Sequence, residues 1–177
     1  MNATRWNYFV PYEADISSAL QHLREDVFAR GDYKTFADLA VPAGFEISTL
    51  GSRSKPGSIR ELLDQQAGAG THSILDITQL SSKPAVDAIS PLPHSELARC
   101  VGSTAPSHAE IEEAYQCGLL ERHVSRRGRG VYIIAYRHQS PDEFFFAGCS
   151  GTLAATTIRL PLNHGGLNPP CPALVES

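Results

Sequence analysis

The chain has 177 residues, 42% apolar and 19% charged, with a net charge of −4 and a pI near 5.9. That length suits one domain with or without a tail, and the apolar content excludes a disordered chain. The acidic balance excludes a general electrostatic pull toward nucleic acid or anionic lipid, and no stretch approaches the roughly 18 apolar residues of a membrane span.

The opening residues, MNATRWNYFVPYEAD, lack the apolar run of about 7–15 residues that a secretory leader carries, so a cytoplasmic protein is expected. RWNYFVPY (5–12) alternates, with Trp6, Tyr8 and Val10 on one face and Asn7 and Phe9 on the other. It reads as a first strand ended by Pro11, and its apolar character on both faces predicts a central place in a sheet. Asp15 then caps a helix whose apolar stripe is Ile16, Ala19, Leu20, Leu23 and Val27, and Gly31 stops it.

Residues 32–57 hold no sustained period and read as a long irregular segment, with a short strand conceivable at 45–50; long segments of this kind often carry function. Ser58 and Glu61 form a capping box for a second helix. Gly68 or Gly70 closes that helix, and SILDITQL (73–80) is predicted as a strand. The proline-punctuated run 81–93 is a connector, followed by a short helix around HSELARCV.

A second capping box, Ser107 with Glu110, opens a further helix with Ile111, Ala114, Tyr115 and Leu119 along its stripe. VYIIAYRH (131–138) and EFFFAGCS (143–150) are predicted as a hairpin joined by a turn at QSPD. Past Ser150 there are only two charged residues and four prolines. Residues 151–177 are therefore expected to be a loosely attached or disordered tail, and residues 1–150 a single domain. The resulting class is α+β: a mixed sheet of about four strands, in the order β-α-α-β-α-α-β-β, with helices mainly on one face and a C-terminal hairpin.

The stretch GAGTHS (68–73) superficially suggests a phosphate loop, but such loops run from strand through glycine to helix. Here a helix precedes the glycines, and its C-terminus carries partial negative charge. The glycines are better read as helix termination, leaving His72 and Asp76 as the candidate catalytic pair. On a strand the two share a face about 13 Å apart, too far to hydrogen-bond, so any partner orienting His72 comes from elsewhere. Glu61, Asp87, His94 and the acids of residues 110–113 are available for that task.

Cys149 and Ser150 lie in GCSG, not in the GxSxG pattern of a nucleophile elbow. The four cysteines include no CxxC pair and are expected to be reduced and structural. The seven histidines include no HxH or HxxxH pair, so no metal site and no cofactor is predicted. Arg126, Arg127 and Arg129 form a short glycine-spaced basic run, and any ring of Trp6, Tyr8 and Tyr12 left exposed is a natural contact for another protein.

Two functions follow. The first is an interaction or regulatory module (an adaptor, accessory or immunity-type protein) that binds a protein partner, rather than nucleic acid, through the aromatic first strand and the long 32–57 segment. The second is a hydrolase or transferase that uses His72 as general base with a carboxylate from a neighbouring element.

Overall fold

The structure, a computed structural model, describes residues 4–35, 38, 55–66 and 70–150. Its sheet contains β1 (Thr4–Pro11), β2 (Gln79–Leu80), β3 (Ala88–Pro91), β4 (Arg129–Arg137) and β5 (Ser140–Ser150), in the spatial order β1-β5-β4-β3-β2. β5 runs antiparallel to both β1 and β4, while β4, β3 and β2 are parallel. The helices are α1 (Ile16–Arg30), α2 (Ile59–Gln65), α3 (His94–Val101), α4 (His108–Gln116) and α5 (Glu121–Val124), with a 3₁₀ turn at Ile74–Asp76. The mixed α+β class and the C-terminal hairpin are as the sequence predicts, and among the described residues the sheet has five strands rather than about four. No helix among the described residues is long and apolar enough to cross a membrane.

Local chemistry sets the helix ends. The Asp15 carboxylate accepts from the Ser17 and Ser18 amides, and Gly31 closes α1 in the left-handed conformation at φ 71°. Ser107 and Glu110 form a complete capping box on α4. At α2 the box is displaced: Ser58 accepts from the Glu61 amide, but Glu61 reaches one residue further, to the Gly57 amide at 2.7 Å.

β5 explains the layering. Its run Phe144-Phe145-Phe146-Ala147 is buried throughout, because successive side chains enter opposite cores. Phe144 and Phe146 join Trp6, Leu20, Leu23, Val27, Leu62 and Ile74 in one cluster. Phe145 and Ala147 join Val131, Ile133, Leu97, Ile111 and Leu120 in the other. Helices α1 and α2 thus cover one face and α3, α4 and α5 the other, where the sequence suggested mainly one covered face. Each fully buried Phe or Leu contributes about 1.5–3 kcal/mol, so both layers matter to stability.

Three local features differ from expectation. Most of the strand expected at 73–80 is a turn: Ser73 caps Ile74–Asp76 by accepting from the Leu75 amide, and only Gln79–Leu80 pairs as β2. Within the 81–93 connector, Ala88, Ile89 and Ser90 are buried as β3, paired by β2 and β4 on either side. Pro91 is tolerated because it is the strand's last residue. β1, expected to be central, is among the described residues an outer strand whose one paired neighbour is β5, and Trp6 is its one fully buried residue.

The hairpin turn also falls earlier than QSPD. His138 (φ 51°) and Gln139 (φ 65°) both take left-handed conformations, and Arg137 pairs with Ser140 across a two-residue turn. Of the cysteines, Cys100 and Cys149 are buried free thiols, as expected, but Cys117 is disulfide-bonded. The expected strand at 45–50, most of the 32–57 segment and the 151–177 tail lie outside the described residues.

Candidate functional site

The 3₁₀ turn is built from hydroxyls and one carboxylate. Asp76 accepts from the Thr71 amide (2.7 Å), the Thr71 hydroxyl (2.8 Å) and the His72 amide (3.2 Å). The Ser73 hydroxyl lies 3.0 Å from that of Thr71, and the Ser73 carbonyl accepts from Ser150 Oγ at 3.1 Å. Ser150 in turn accepts from the Trp6 indole N–H at 3.1 Å. A continuous polar chain therefore links Trp6 of β1, Ser150 of β5 and Asp76 of the turn through the core, with each member satisfied.

Trp6 fits there because two glycines leave room. A Cβ at Gly148 would stand 2.5 Å from Trp6 Cζ2, and one at Gly130 would stand 3.0 Å from Cη2. With 5% of its surface exposed, Trp6 is an interior residue. Its part in any interface is to hold β1 in place.

Asp76 does not lie about 13 Å from residue 72, as a strand would require. The turn folds its carboxylate back onto the main chain of Thr71 and His72, and the imbalance is met by backbone amides, not by the imidazole. His72 itself takes φ 56°, a left-handed conformation that costs a non-glycine residue about 1 kcal/mol or more. Its ring is buried, with Nδ1 2.8 Å from Thr4 Oγ1. Nε2 has no hydrogen-bond partner among the described residues. Burial holds the imidazole below the usual histidine range, with the Asp76 charge opposing the shift and those of Lys34 and Arg127 adding to it. Either tautomer leaves Nε2 one unmet hydrogen-bonding capacity, as acceptor if Nδ1 carries the proton and as donor if it does not.

His72 lines a cleft of about 410 Å³ with residues 4–8 and 31–34. Residues from both faces of β1 contribute, Arg5 and Asn7 from one and Trp6 and Tyr8 from the other, so the cleft follows the strand's edge. Lys34 anchors the opposite wall, its amide donating to the Thr71 carbonyl at 2.8 Å. Arg5 is paired with Glu121. The Tyr8 hydroxyl is pushed up to about 12, mainly by burial and then by the Asp32 charge, so it stays protonated and offers no base. Tyr12 lies half-exposed beyond the strand, its ring 5.0 Å from that of Phe144.

The arginine run divides. Arg127 acts electrostatically on His72 and Cys149, whereas Arg126 and Arg129 line a second cleft of about 330 Å³ between α5, β3 and β4. Burial pushes the Cys149 thiol up, which leaves it unreactive.

Beside the second cleft, Glu96, Cys100 and His123 place one metal-type donor atom each within 4.8 Å of one another. The four-residue spacing of Glu96 and Cys100 on α3 was the signal available in the sequence. All three donors already receive guanidinium groups: Glu96 pairs with Arg99 at 2.8 Å and with Arg122, Cys100 accepts from Arg99 at 3.3 Å, and His123 accepts from Arg122 Nε at 3.0 Å. Two cations occupy the place a metal would take, so the cluster acts as an arginine anchor.

No family model, curated protein or solved structure matches this chain.

Proposed function

We propose that this protein is a binding module that captures an extended, acidic segment of a protein partner along the outer edge of β1. The observation that carries the reading is the position of β1: an eight-residue strand paired, among the described residues, on one side, with the His72 cleft running along the other. An unpaired strand edge offers a row of main-chain donors and acceptors, and an adjoining pocket selects side chains. Charge favours an acidic occupant. Arg5 is already held by Glu121, so the preference rests on Lys34 in the cleft wall, beside Asp32, and on the Arg127 charge that reaches His72. The unmet Nε2 adds a hydrogen-bonding group for the bound chain.

Selection of binders from a random peptide library tests this. Selected peptides should be acidic, should lose binding when alternate amides are N-methylated, and should lose about tenfold in affinity on Lys34→Glu, a loss of about 1.4 kcal/mol. A library that returns no binder, or binders indifferent to both changes, overturns it. We take the cytoplasm as the compartment for this reading; buried free thiols at Cys100 and Cys149 suit it, and the disulfide at Cys117 weighs on the other side.

The same unpaired Nε2 favours a second reading, a hydrolase or transferase with His72 as general base. Thr4, not a carboxylate, holds the other ring nitrogen, which gives the developing imidazolium weak support. Turnover of a simple ester abolished by His72→Gln would bring this reading forward.

A further inference from the structure

We propose that the second cleft, between α5 and the paired strands β3 and β4, binds the phosphate group of a small phosphate monoester. Arg122 and Arg126 reach it from α5 and the turn after it, and Arg129 from the first position of β4. Arg126 and Arg129 have no carboxylate partner among the described residues, although the chain as a whole is acidic. Arg122 is held differently: its bond to Glu96 fixes the guanidinium at the rim. Planar guanidinium forks match phosphate oxygens two at a time, which makes the unpaired Arg126 and Arg129, with Arg122 held at the rim, suited to a dianion.

The second, independent observation is Ser90. It is 1% exposed, lines the same cleft, and its hydroxyl has no hydrogen-bond partner among the described residues. A buried hydroxyl left unpaired costs about 1–3 kcal/mol, and a phosphate oxygen is an acceptor that would meet it. Apart from His123, the remaining side chains of the wall, Pro84, Pro91, Pro93 and Val131, are apolar. The volume is at the small end of the roughly 300–1,000 Å³ seen for ligand sites. Phosphate would meet the arginines and Ser90, while a compact apolar or aromatic body would lie on the prolines.

Calorimetric titration at constant ionic strength, with inorganic phosphate, phenyl phosphate and sulfate as probes, tests the site. Phenyl phosphate should bind saturably and more tightly than inorganic phosphate, and sulfate more weakly than either. The double variant Arg126→Gln, Arg129→Gln should lose about tenfold or more, and Ser90→Ala several-fold, with the fold checked by circular dichroism. Arg60→Gln, on the far side of the molecule beside α1, serves as a control for loss of a remote positive charge and should leave affinity unchanged. Absence of saturable binding by both phosphate probes, or equal affinity in the double variant and the control, overturns the proposal.

Discussion

His72 and His123 each line a cleft, and burial holds both imidazoles below the usual histidine range. Their neighbours treat them in opposite ways. At His123 the ring Nε2 lies within hydrogen-bond reach of both Arg122 and Glu96, and Glu96 is paired in turn with Arg99, in a cluster open to solvent at its rim. Around His72 the carboxylate is spent on main-chain amides, one ring nitrogen is held by Thr4, and the other is left unmet. A depressed histidine is therefore no mark of function by itself. What distinguishes the two sites is the accounting of hydrogen bonds around the ring.

The sharpest way to break this comparison is to remove the carboxylate beside each ring. Asp76→Ala strands two amides and a hydroxyl in the interior, and a loss of about 2–4 kcal/mol is expected. Glu96→Ala dissolves a solvent-screened ion cluster, and a change within about 1 kcal/mol is expected. Urea unfolding of the two variants side by side measures the difference; equal losses would mean that the two carboxylates do the same job.

A smaller effect of the His72 ring is read by pH. The folded imidazoles take up protons less readily than unfolded ones, whose ordinary value is 6.5. Their contribution to stability is thus complete above that value and declines as pH falls through it. Glu13 raises His22, which works in the opposite direction but equally in every variant. Unfolding free energies from pH 8 down to pH 5 should fall less steeply in His72→Gln than in the parent chain. An unchanged slope would show that the His72 ring titrates alike in both states.

The smallest expected effect concerns the backbone at residue 72. Its left-handed conformation suits glycine, so His72→Gly should be more stable than His72→Ala by about 1 kcal/mol, even though glycine loosens the unfolded chain. Thermal melts of the pair decide this, and alanine equal to glycine would mean that the turn relaxes once the ring is gone.

What was legible in the sequence was local. Asp15, Ser107 with Glu110, and Gly31 act within a few residues of themselves, and the helices they bound are where the pattern puts them. The alternation in β1 also held, with Trp6, Tyr8 and Val10 on one core and Phe9 on the other. Strand order was not legible, because an outer β1 depends on which partner β5 finds across more than a hundred residues. β3 was hidden because a four-residue strand among prolines carries no alternation of its own; its two neighbours make it.

The candidate site was half legible. His72 and Asp76 could be picked out, but apolar Ile74, Leu75 and Ile77 suggested a strand where the chain makes a turn. Ser73 and Asp76 stand three apart, the spacing of a capped turn, and that was the local signal that brings the carboxylate back to residue 72. Lys34 and Ser90 carried no signal at all, since each matters only through what folds next to it.

The glycine seat at Gly130 and Gly148 has a practical consequence. The chain contains one tryptophan, and that seat holds it in the wall of the β1 cleft, shielded from water and tied to Ser150. Its intrinsic fluorescence therefore reports from a single known address, so docking on the strand edge and unfolding of the core are both visible in the emission of one native fluorophore, with no label attached.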